Sequence, residues 1–269
     1  MLKHRVIAAL VLIPLVVLSV LYLPTEAFAV LLAVVVLLGA WEWAQLVPLV
    51  STAARIGLVA ATGALLVLAW LLRRQDGFPQ WLLLAALIWW CCAALWLVRP
   101  RWGTGRPVLK LAVSALTLLP PWFALVLLHL QSRELVLFVL VVVWVADSGA
   151  YFAGRHWGRH RLAPAVSPGK TWEGVAGGMA GGAAVAAAAG YFLGLSDAAL
   201  LQFVMLGLVV IAVSILGDLS ISLLKRQQGI KDSGHIIPGH GGILDRIDSL
   251  TAAAPVFAMG YEWLNLGSA

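Results

Sequence analysis

Charged residues are scarce in this chain. Of its 269 residues, 11% are Asp, Glu, Lys or Arg, whereas 62% are hydrophobic. A soluble domain carries about 25% charged residues, so this composition excludes an ordinary soluble protein. A membrane span needs roughly 20 mainly apolar residues to cross about 30 Å of hydrocarbon, and the chain is therefore long enough for about nine spans with short connections.

Cysteine is equally scarce. The two cysteines, Cys91 and Cys92, are neighbours in an apolar run, and disulfide geometry rarely permits a bond between adjacent residues. We interpret them as small core or lipid-facing residues. The sequence also has neither an HExxH motif nor a cluster of Cys and His, which argues against a zinc site.

Apolar windows predict nine helices. They lie near residues 5–23, 27–49, 57–72, 80–98, 109–130, 134–154, 174–195, 198–224 and 249–266. Because the bilayer core contains no water, each backbone amide must bond within its own helix, and the alternating segments of a β-barrel are missing from the sequence. The predicted fold is an all-α polytopic membrane protein.

The first window is longer than the hydrophobic core of a typical signal peptide, so we expect it to be a retained membrane span. Ala27-Phe28-Ala29 could nevertheless serve as a weak cleavage site.

Positive charge is distributed unevenly between alternate connections. With the N-terminus inside, Arg73, Arg74 and Arg133 fall outside, and the other 15 of the 18 Lys and Arg fall inside. Positive charge stays on the cytoplasmic side, so the N-terminus is predicted to be cytoplasmic and the C-terminus to lie outside. Basic residues beside spans also meet anionic lipid, which accounts for the net charge of +6 without a nucleic-acid partner.

The two halves of the chain differ in character. Residues 1–140 form a hydrophobic transmembrane region with few polar residues, whereas residues 141–269 collect Gly, Asp, Lys, Arg and His and are predicted to be the catalytic region. Carboxylates at membrane depth usually pair, bind ions or line a wet cavity. The alternative is a set of ion pairs at helix ends. Six acidic residues lie on segments predicted to face the cytoplasm: Asp147, Glu173, Asp218, Asp232, Asp245 and Asp248.

Glycine recurs in steps of four along the seventh window. A face with almost no side chains lets another helix approach closely. Packing within one subunit and a seam between two copies are both open. The residues of this stripe are Gly174, Gly178, Gly182, Gly190 and Gly194, with Ala186 filling the gap.

Two segments, one at the end of the sixth window and one just before the seventh, combine polar side chains with glycine. Helical spacing places Asp147, Tyr151 and Gly154 on one face. Residues 167–174 form a turn sequence before a helix whose backbone amides would favour phosphate, although a helix cap would use the same residues. A P-loop is excluded, because Pro164 stands where that motif requires Gly.

The run from Gly217 to Ser249 carries the strongest signal. On a helix, Asp218, Ser222 and Lys225 share a face, which lets a carboxylate and a cation meet one ligand. Hard oxygen ligands beside Lys and Arg suit a triphosphate bound with Mg²⁺. A glycine-rich turn permits close backbone approach before Asp245 and Asp248, which are three residues apart at the next helix start.

The stretch from Ser222 to Asp248 resembles the signature of the phosphatidate cytidylyltransferases, and residues 147–158 and 167–174 resemble that family too. The resemblance implies transfer of the cytidylyl group of CTP to phosphatidic acid, giving CDP-diacylglycerol and pyrophosphate. It also implies one or two Mg²⁺ ions, a site on the cytoplasmic face of a bacterial inner membrane and contact with membrane lipid, whereas the expectation of a homodimer rests on the glycine stripe. Gly169 departs from the pattern, because relatives commonly carry a second Lys there.

The resemblance also implies roles for individual residues. Mg²⁺ is assigned to Asp218, Asp245 and Asp248, with Asp147 in support. The predicted catalytic residues are Asp218, Lys225, Arg226, Lys231, Asp232, His240, Asp245, Arg246 and Asp248. The predicted substrate-binding residues are Asp147, Tyr151, Ser167, Lys170, Thr171, Glu173, Ser222, Gly241 and Gly242. Within these sets, His240 is either structural or a donor to phosphate.

Three rival functions are weighed against this one. A CTP-dependent lipid kinase of the polyprenol type also needs a triphosphate site, but it would release CDP. A CDP-alcohol phosphotransferase needs an Asp-Gly-x-x-Ala-Arg core that this sequence lacks. A transporter would explain intramembrane acids, but not a contiguous loop of Lys, Arg, His, Gly and Asp on one side.

Overall fold

The computed structural model describes residues 2–47, 51–234 and 241–266, with side chains from Val11 onward. Within those ranges the chain forms nine helices and one short hairpin. The helices are α1 (Leu2–Tyr22), α2 (Thr25–Leu46), α3 (Thr52–Leu72), α4 (Phe78–Val98), α5 (Pro107–Gln131), α6 (Arg133–Trp157), α7 (Trp172–Phe192), α8 (Asp197–Gln227) and α9 (Leu244–Trp263). The strands are β1 (Arg161–Ala163) and β2 (Ser167–Thr171), which pair antiparallel.

The predicted all-α polytopic fold is confirmed. Helices α2 to α8 are each long and apolar enough to cross a membrane, and the part of α1 with described side chains, Val11–Tyr22, is apolar but shorter. Helix α9 is less apolar because its first turns carry Asp245, Arg246 and Asp248. The prediction of a turn at residues 167–171 was wrong. These residues form β2, since hydrogen bonding to β1 outweighs their weak intrinsic preference for a strand.

Contacts between residues distant in sequence show which helix ends lie at the same end of the bundle. Near the C-terminus of α8, the Gln227 side chain donates to the carbonyl of Trp102, between α4 and α5 (2.9 Å). At the opposite end, the His129 ring near the end of α5 bonds to the Thr25 hydroxyl at the start of α2 (2.9 Å). One end of the bundle therefore gathers the C-termini of α6 and α8, the hairpin and the N-termini of α7 and α9. We call it the polar end. Its orientation toward the cytoplasm stays a prediction.

The glycine stripe of α7 packs inside the subunit. Gly174, Gly178, Gly182, Ala186 and Gly190 are all buried. A Cβ atom at Gly178 would lie 2.8 Å from the Ala146 carbonyl oxygen of α6, so only glycine permits this approach. This stripe is therefore used within one chain, and Gly194 instead ends the helix with a φ of 71°. The homodimer stays a prediction that the stripe does not support.

Two connected hydrophobic clusters form the interior. One lies mainly among α5, α6, α8 and α9, and the other lies mainly among α2, α4, α5 and α8. Both cysteines are free and exposed on the outer face of α4, as expected for lipid-facing residues. Since lipid tails are as apolar as these side chains, close packing holds the bundle together more than exclusion of water does. The clusters leave the polar end as the place where charges meet.

Candidate active site

The hairpin brings Lys170 of β2 onto helix α8. The Lys170 Nζ lies 2.5 Å from Asp218 Oδ2, and both side chains are about a quarter exposed (25% each). Asp218 Oδ1 accepts a hydrogen bond from the Ser222 hydroxyl, one turn further along α8 (3.2 Å). The predicted shared face of Asp218 and Ser222 is therefore present, and the cation that meets this carboxylate comes from β2.

A second ion pair joins α8 to α9. The Lys225 Nζ lies 2.7 Å from Asp245 Oδ1, and these side chains are only 10% and 9% exposed. Asp245 Oδ2 accepts hydrogen bonds from the backbone N–H of Ser233 (2.9 Å) and of Gly242 (3.1 Å). The chain after α8 therefore folds back onto the start of α9.

Three carboxylates gather beside these pairs. Asp147 of α6 and Asp248 of α9 each interact electrostatically with Asp218 of α8. The approach of α9 to α8 depends on Gly217, because a Cβ atom there would lie 2.6 Å from the Asp248 carbonyl oxygen. Acidic groups that interact in this way repel one another, and Lys170 offsets part of that repulsion at Asp147 and Asp218. Asp245 is engaged by Lys225 and two N–H groups, and Lys225 also acts electrostatically on Asp248.

Glu42 of α2 is a site residue that the sequence reasoning missed. Its side chain is fully buried, and it accepts hydrogen bonds from the backbone N–H of Ile243 (3.0 Å) and of Leu244 (2.8 Å) and from the Ser233 hydroxyl (3.2 Å). It thus caps the N-terminus of α9 and fixes the position of Ser233, whose backbone N–H binds Asp245. A lone carboxylate inside an apolar window was the available signal, because such residues are costly in a membrane.

Several predicted substrate-binding residues hold the hairpin in place. The Thr171 hydroxyl accepts from the Gly174 N–H (3.1 Å) and caps α7, which is the helix-cap alternative. Glu173 accepts from the N–H of Arg159 (3.1 Å) and pairs with the His160 ring (2.7 Å). Ser167 pairs with Ala163 beside the turn of the hairpin. Their roles toward substrate stay predictions.

The remaining predicted residues occupy different surroundings. Arg226 donates to the Val166 carbonyl of the hairpin (3.2 Å) and to the Ile230 carbonyl (3.3 Å). Tyr151 is exposed, and its hydroxyl accepts from Arg155 (3.0 Å). Two further exposed residues, Lys231 and Asp232, lie on the loop after α8.

The glycine-rich turn before α9 is described only from Gly241, where φ is 76°. The following residue, Gly242, supplies one of the N–H groups that bind Asp245. Arg246, in the first turn of α9, is exposed. His240 lies outside the described residues.

The side chains of the site can be compared with the ligands that the predicted Mg²⁺ ion requires. In the described part of the chain, no three or more Asp, Glu, His or Cys side chains are arranged to hold a metal by themselves. Mg²⁺ usually takes one or two carboxylates and completes its shell with water and phosphate oxygens. Asp218 and Asp248 fit that requirement chemically. Asp218 is paired with Lys170 and Asp245 with Lys225, and the assignment of Asp218, Asp245 and Asp248 to the metal stays a prediction.

The fold and this site define a multi-pass membrane protein with two lysine–carboxylate pairs and an acidic group at one end of a helix bundle. Comparison with known proteins makes the class specific. The model of the cytidylyltransferase family matches residues 3–264. The chain therefore belongs to the cytidylyltransferase family.

Individual relatives agree with this family. A phosphatidate cytidylyltransferase of Pseudomonas aeruginosa is 47% identical over 265 residues, which cover 96% of each chain. The protein of the same name from Haemophilus influenzae is 38% identical over 285 residues, covering 97% of this chain and 99% of the relative. One from Brucella suis is 41% identical over 174 residues, or 61% of this chain and 59% of the relative. The similarity to the first two extends over nearly the full length.

Proposed function

We propose that this chain transfers the cytidylyl group of CTP to phosphatidic acid with the help of Mg²⁺, giving CDP-diacylglycerol and pyrophosphate. The activity is supported by the family match and by the two relatives similar over nearly their whole length. The observation that carries the residue roles is the meeting of Lys170, Lys225 and four carboxylates at the polar end. Chemistry there is next to the membrane that contains the lipid substrate.

The proposal assigns the phosphates of CTP to two lysines. Lys170 is one-quarter exposed, so its amine is accessible to a ligand while it pairs with Asp218. Lys225 is nearly buried against Asp245, which fixes the direction of its amine. Charge-assisted bonds from lysine to phosphate are worth about 1.5–3 kcal/mol each. The two amines therefore supply binding and orientation.

The acidic group supplies oxygen ligands for the proposed metal. Asp218 and Asp248 would hold Mg²⁺, and Asp147 would stabilise them from α6. When bound, Mg²⁺ offsets the charge of the triphosphate and of the leaving pyrophosphate. Ser222 keeps Asp218 oriented through the hydrogen bond from its hydroxyl.

The reaction requires little covalent chemistry from the protein. A phosphate oxygen of phosphatidic acid forms a bond to the α-phosphorus of CTP, while the bond from that phosphorus to the β-phosphate bridging oxygen breaks. Pyrophosphate leaves with the electron pair. The contribution of the chain is to align two anions and to stabilise the charge that develops on the leaving oxygens.

The test is a direct assay on the purified protein in detergent with labelled CTP, phosphatidic acid and Mg²⁺. We expect pyrophosphate release that requires phosphatidic acid and stops when EDTA removes the metal. Asp218→Asn and Asp248→Asn should each lower turnover by at least about 100-fold and raise the Mg²⁺ concentration needed. Asp197→Asn, an exposed change at the other end of α8, is the matched control and should keep wild-type turnover.

Two results would contradict the proposal. Release of CDP in place of pyrophosphate would identify a lipid kinase. Near-normal turnover of Asp218→Asn and Asp248→Asn, with an unchanged Mg²⁺ requirement, would return these residues to the role of ion pairs at helix ends.

The location proposed for the site is the cytoplasmic face of a bacterial inner membrane. The apolar helices and the bacterial relatives support a multi-pass membrane protein. The 15 basic residues predicted to be inside lie in the helix ends and connections that the alternating helices bring to the polar end, with Lys3 and Arg5 in the first turns of α1. Such an excess of basic residues is typical of cytoplasmic loops.

A further inference from the structure

An apolar cavity of about 410 Å³ lies between α1, α2, α5, α6 and α9. Ligand pockets for small molecules usually measure about 300–1,000 Å³, so the space is large enough for a bound group. Its walls are almost entirely Leu, Ile, Val and aromatic side chains. Among the described residues that line it, Arg246 alone is charged.

The lining of the cavity on α6 is nearly as long as half of the hydrocarbon core of a bilayer is thick. On α6 its lining runs through Val136, Leu140 and Trp144, which lie one above the other at helical spacing. At about 1.5 Å per residue this stripe is about 12 Å long, against roughly 15 Å for half of the hydrocarbon core. The next turn of α6 carries Asp147, so the stripe leads directly to the acidic group.

Helix α9 separates the cavity from the polar site. Ile247 and Leu250 face the cavity, whereas Asp245 and Asp248 interact with residues of α8. Arg246 lies at the border between these two faces, in the first turn and therefore at the polar end. A guanidinium there can bind a phosphate through two parallel hydrogen bonds.

We propose that this cavity holds one acyl chain of phosphatidic acid, with Arg246 binding the lipid phosphate at the mouth. The proposal rests on the proposed function and extends it to the lipid. The apolar walls are complementary to an acyl chain, and the positive charge of Arg246 is complementary to the phosphate headgroup. A lipid bound along α6 and α9 would have its phosphate oxygen next to the site proposed for CTP. Phosphatidylcholine offers the same chains but a zwitterionic headgroup, so the arginine favours the anionic lipid.

The first test narrows the cavity at mid-depth. Leu32 of α2 lines it, whereas Val30 on the same helix is exposed (65%) and does not. Leu32→Trp should raise the KM for dioleoyl phosphatidic acid about tenfold or more, while the KM for CTP and turnover of dihexanoyl phosphatidic acid stay near wild type. Val30→Trp is the matched control and should leave all three unchanged. Equal behaviour of the two variants toward the long-chain lipid would overturn the proposal.

A second test uses the unmodified protein and therefore does not depend on the folding of a variant. Phosphatidic acid with a photoreactive diazirine on its acyl chain should label peptides of α2 and α6 that line the cavity. Unlabelled phosphatidic acid should compete, and phosphatidylcholine should not. Competition by both lipids alike, or labelling confined to outward-facing residues, would show a general lipid crevice and overturn the proposal.

The two proposals fail in different ways. A wild-type protein that releases no pyrophosphate with any phosphatidic acid would contradict the proposed function, whatever the labelling shows. An active enzyme whose long-chain and short-chain substrates respond equally to Leu32→Trp would contradict only the acyl-chain site. Arg246→Gln adds a direct check, since it should weaken competition by phosphatidic acid in the labelling experiment.

Discussion

Changing Glu42 to Gln should impair catalysis although Glu42 lies in α2, far from the catalytic region in sequence. The carboxylate accepts from two backbone N–H groups, of Ile243 and Leu244, and from the Ser233 hydroxyl. A Gln has the same shape, but one of its two terminal atoms is an NH₂ group that cannot accept. The hydroxyl can rotate to accept from this group, whereas a backbone N–H cannot.

At least one buried N–H at the start of α9 therefore loses its acceptor in Glu42→Gln. Such a loss costs about 1–3 kcal/mol. The same loop binds Asp245, which in turn holds Lys225, so we expect the cost to fall on the alignment of the site. If the whole cost appears as lost stabilisation of the transition state, kcat/KM for CTP should fall roughly 5- to 150-fold.

The assay is pyrophosphate release at varied CTP, together with thermal unfolding of the variant in detergent. Glu42→Asp keeps the charge and should recover part of the lost kcat/KM, which a purely steric role would not predict. Glu26→Gln, an exposed change at the start of the same helix, should behave as wild type. A well-folded Glu42→Gln protein with kcat/KM within about twofold of wild type would refute the reasoning.

The packing and topology of the chain support three further predictions. Gly178→Ala places a methyl group against a backbone carbonyl of α6 and should destabilise the protein by about 1–3 kcal/mol, whereas Gly57→Ala, with open space around it, should not lower the Tm in detergent. Gly169→Lys also has open space and should leave the Tm unchanged while lowering the KM for CTP, because it adds a cation beside the phosphate site; a higher KM would count against that site. A reporter inserted near Arg161 should behave as cytoplasmic and one fused after Ala269 as periplasmic; the opposite pattern would reverse the orientation.

The fold class was predictable because the bilayer imposes it locally. A window of apolar residues must form a helix without reference to any other part of the chain, and the helices of the structure follow the predicted windows closely. The hairpin was missed for the opposite reason. Residues 167–171 include Pro and Gly and have little intrinsic tendency to form a strand, so only pairing with residues 161–163 makes them one.

Within the site, the sequence by itself predicted which residues would carry the chemistry, and part of their local geometry is confirmed. Spacing placed Asp218 and Ser222 on one helix face, and their hydrogen bond is present in the structure. Partners that are distant along the chain could not be predicted from the sequence, because helical spacing relates only residues within a few turns. Lys225 and Asp245 are 20 residues apart, and Glu42 and Leu244 are 202 apart.

Only the tertiary structure decided how these groups combine. Packing at Gly217 brings α9 against α8, and the hairpin carries Lys170 to Asp218. The same packing pairs Asp245 with Lys225, and it lets Asp248 interact electrostatically with Asp218. The physical reason is that each ionic partner is selected by the close approach of whole helices, which depends on side chains spread over the entire bundle.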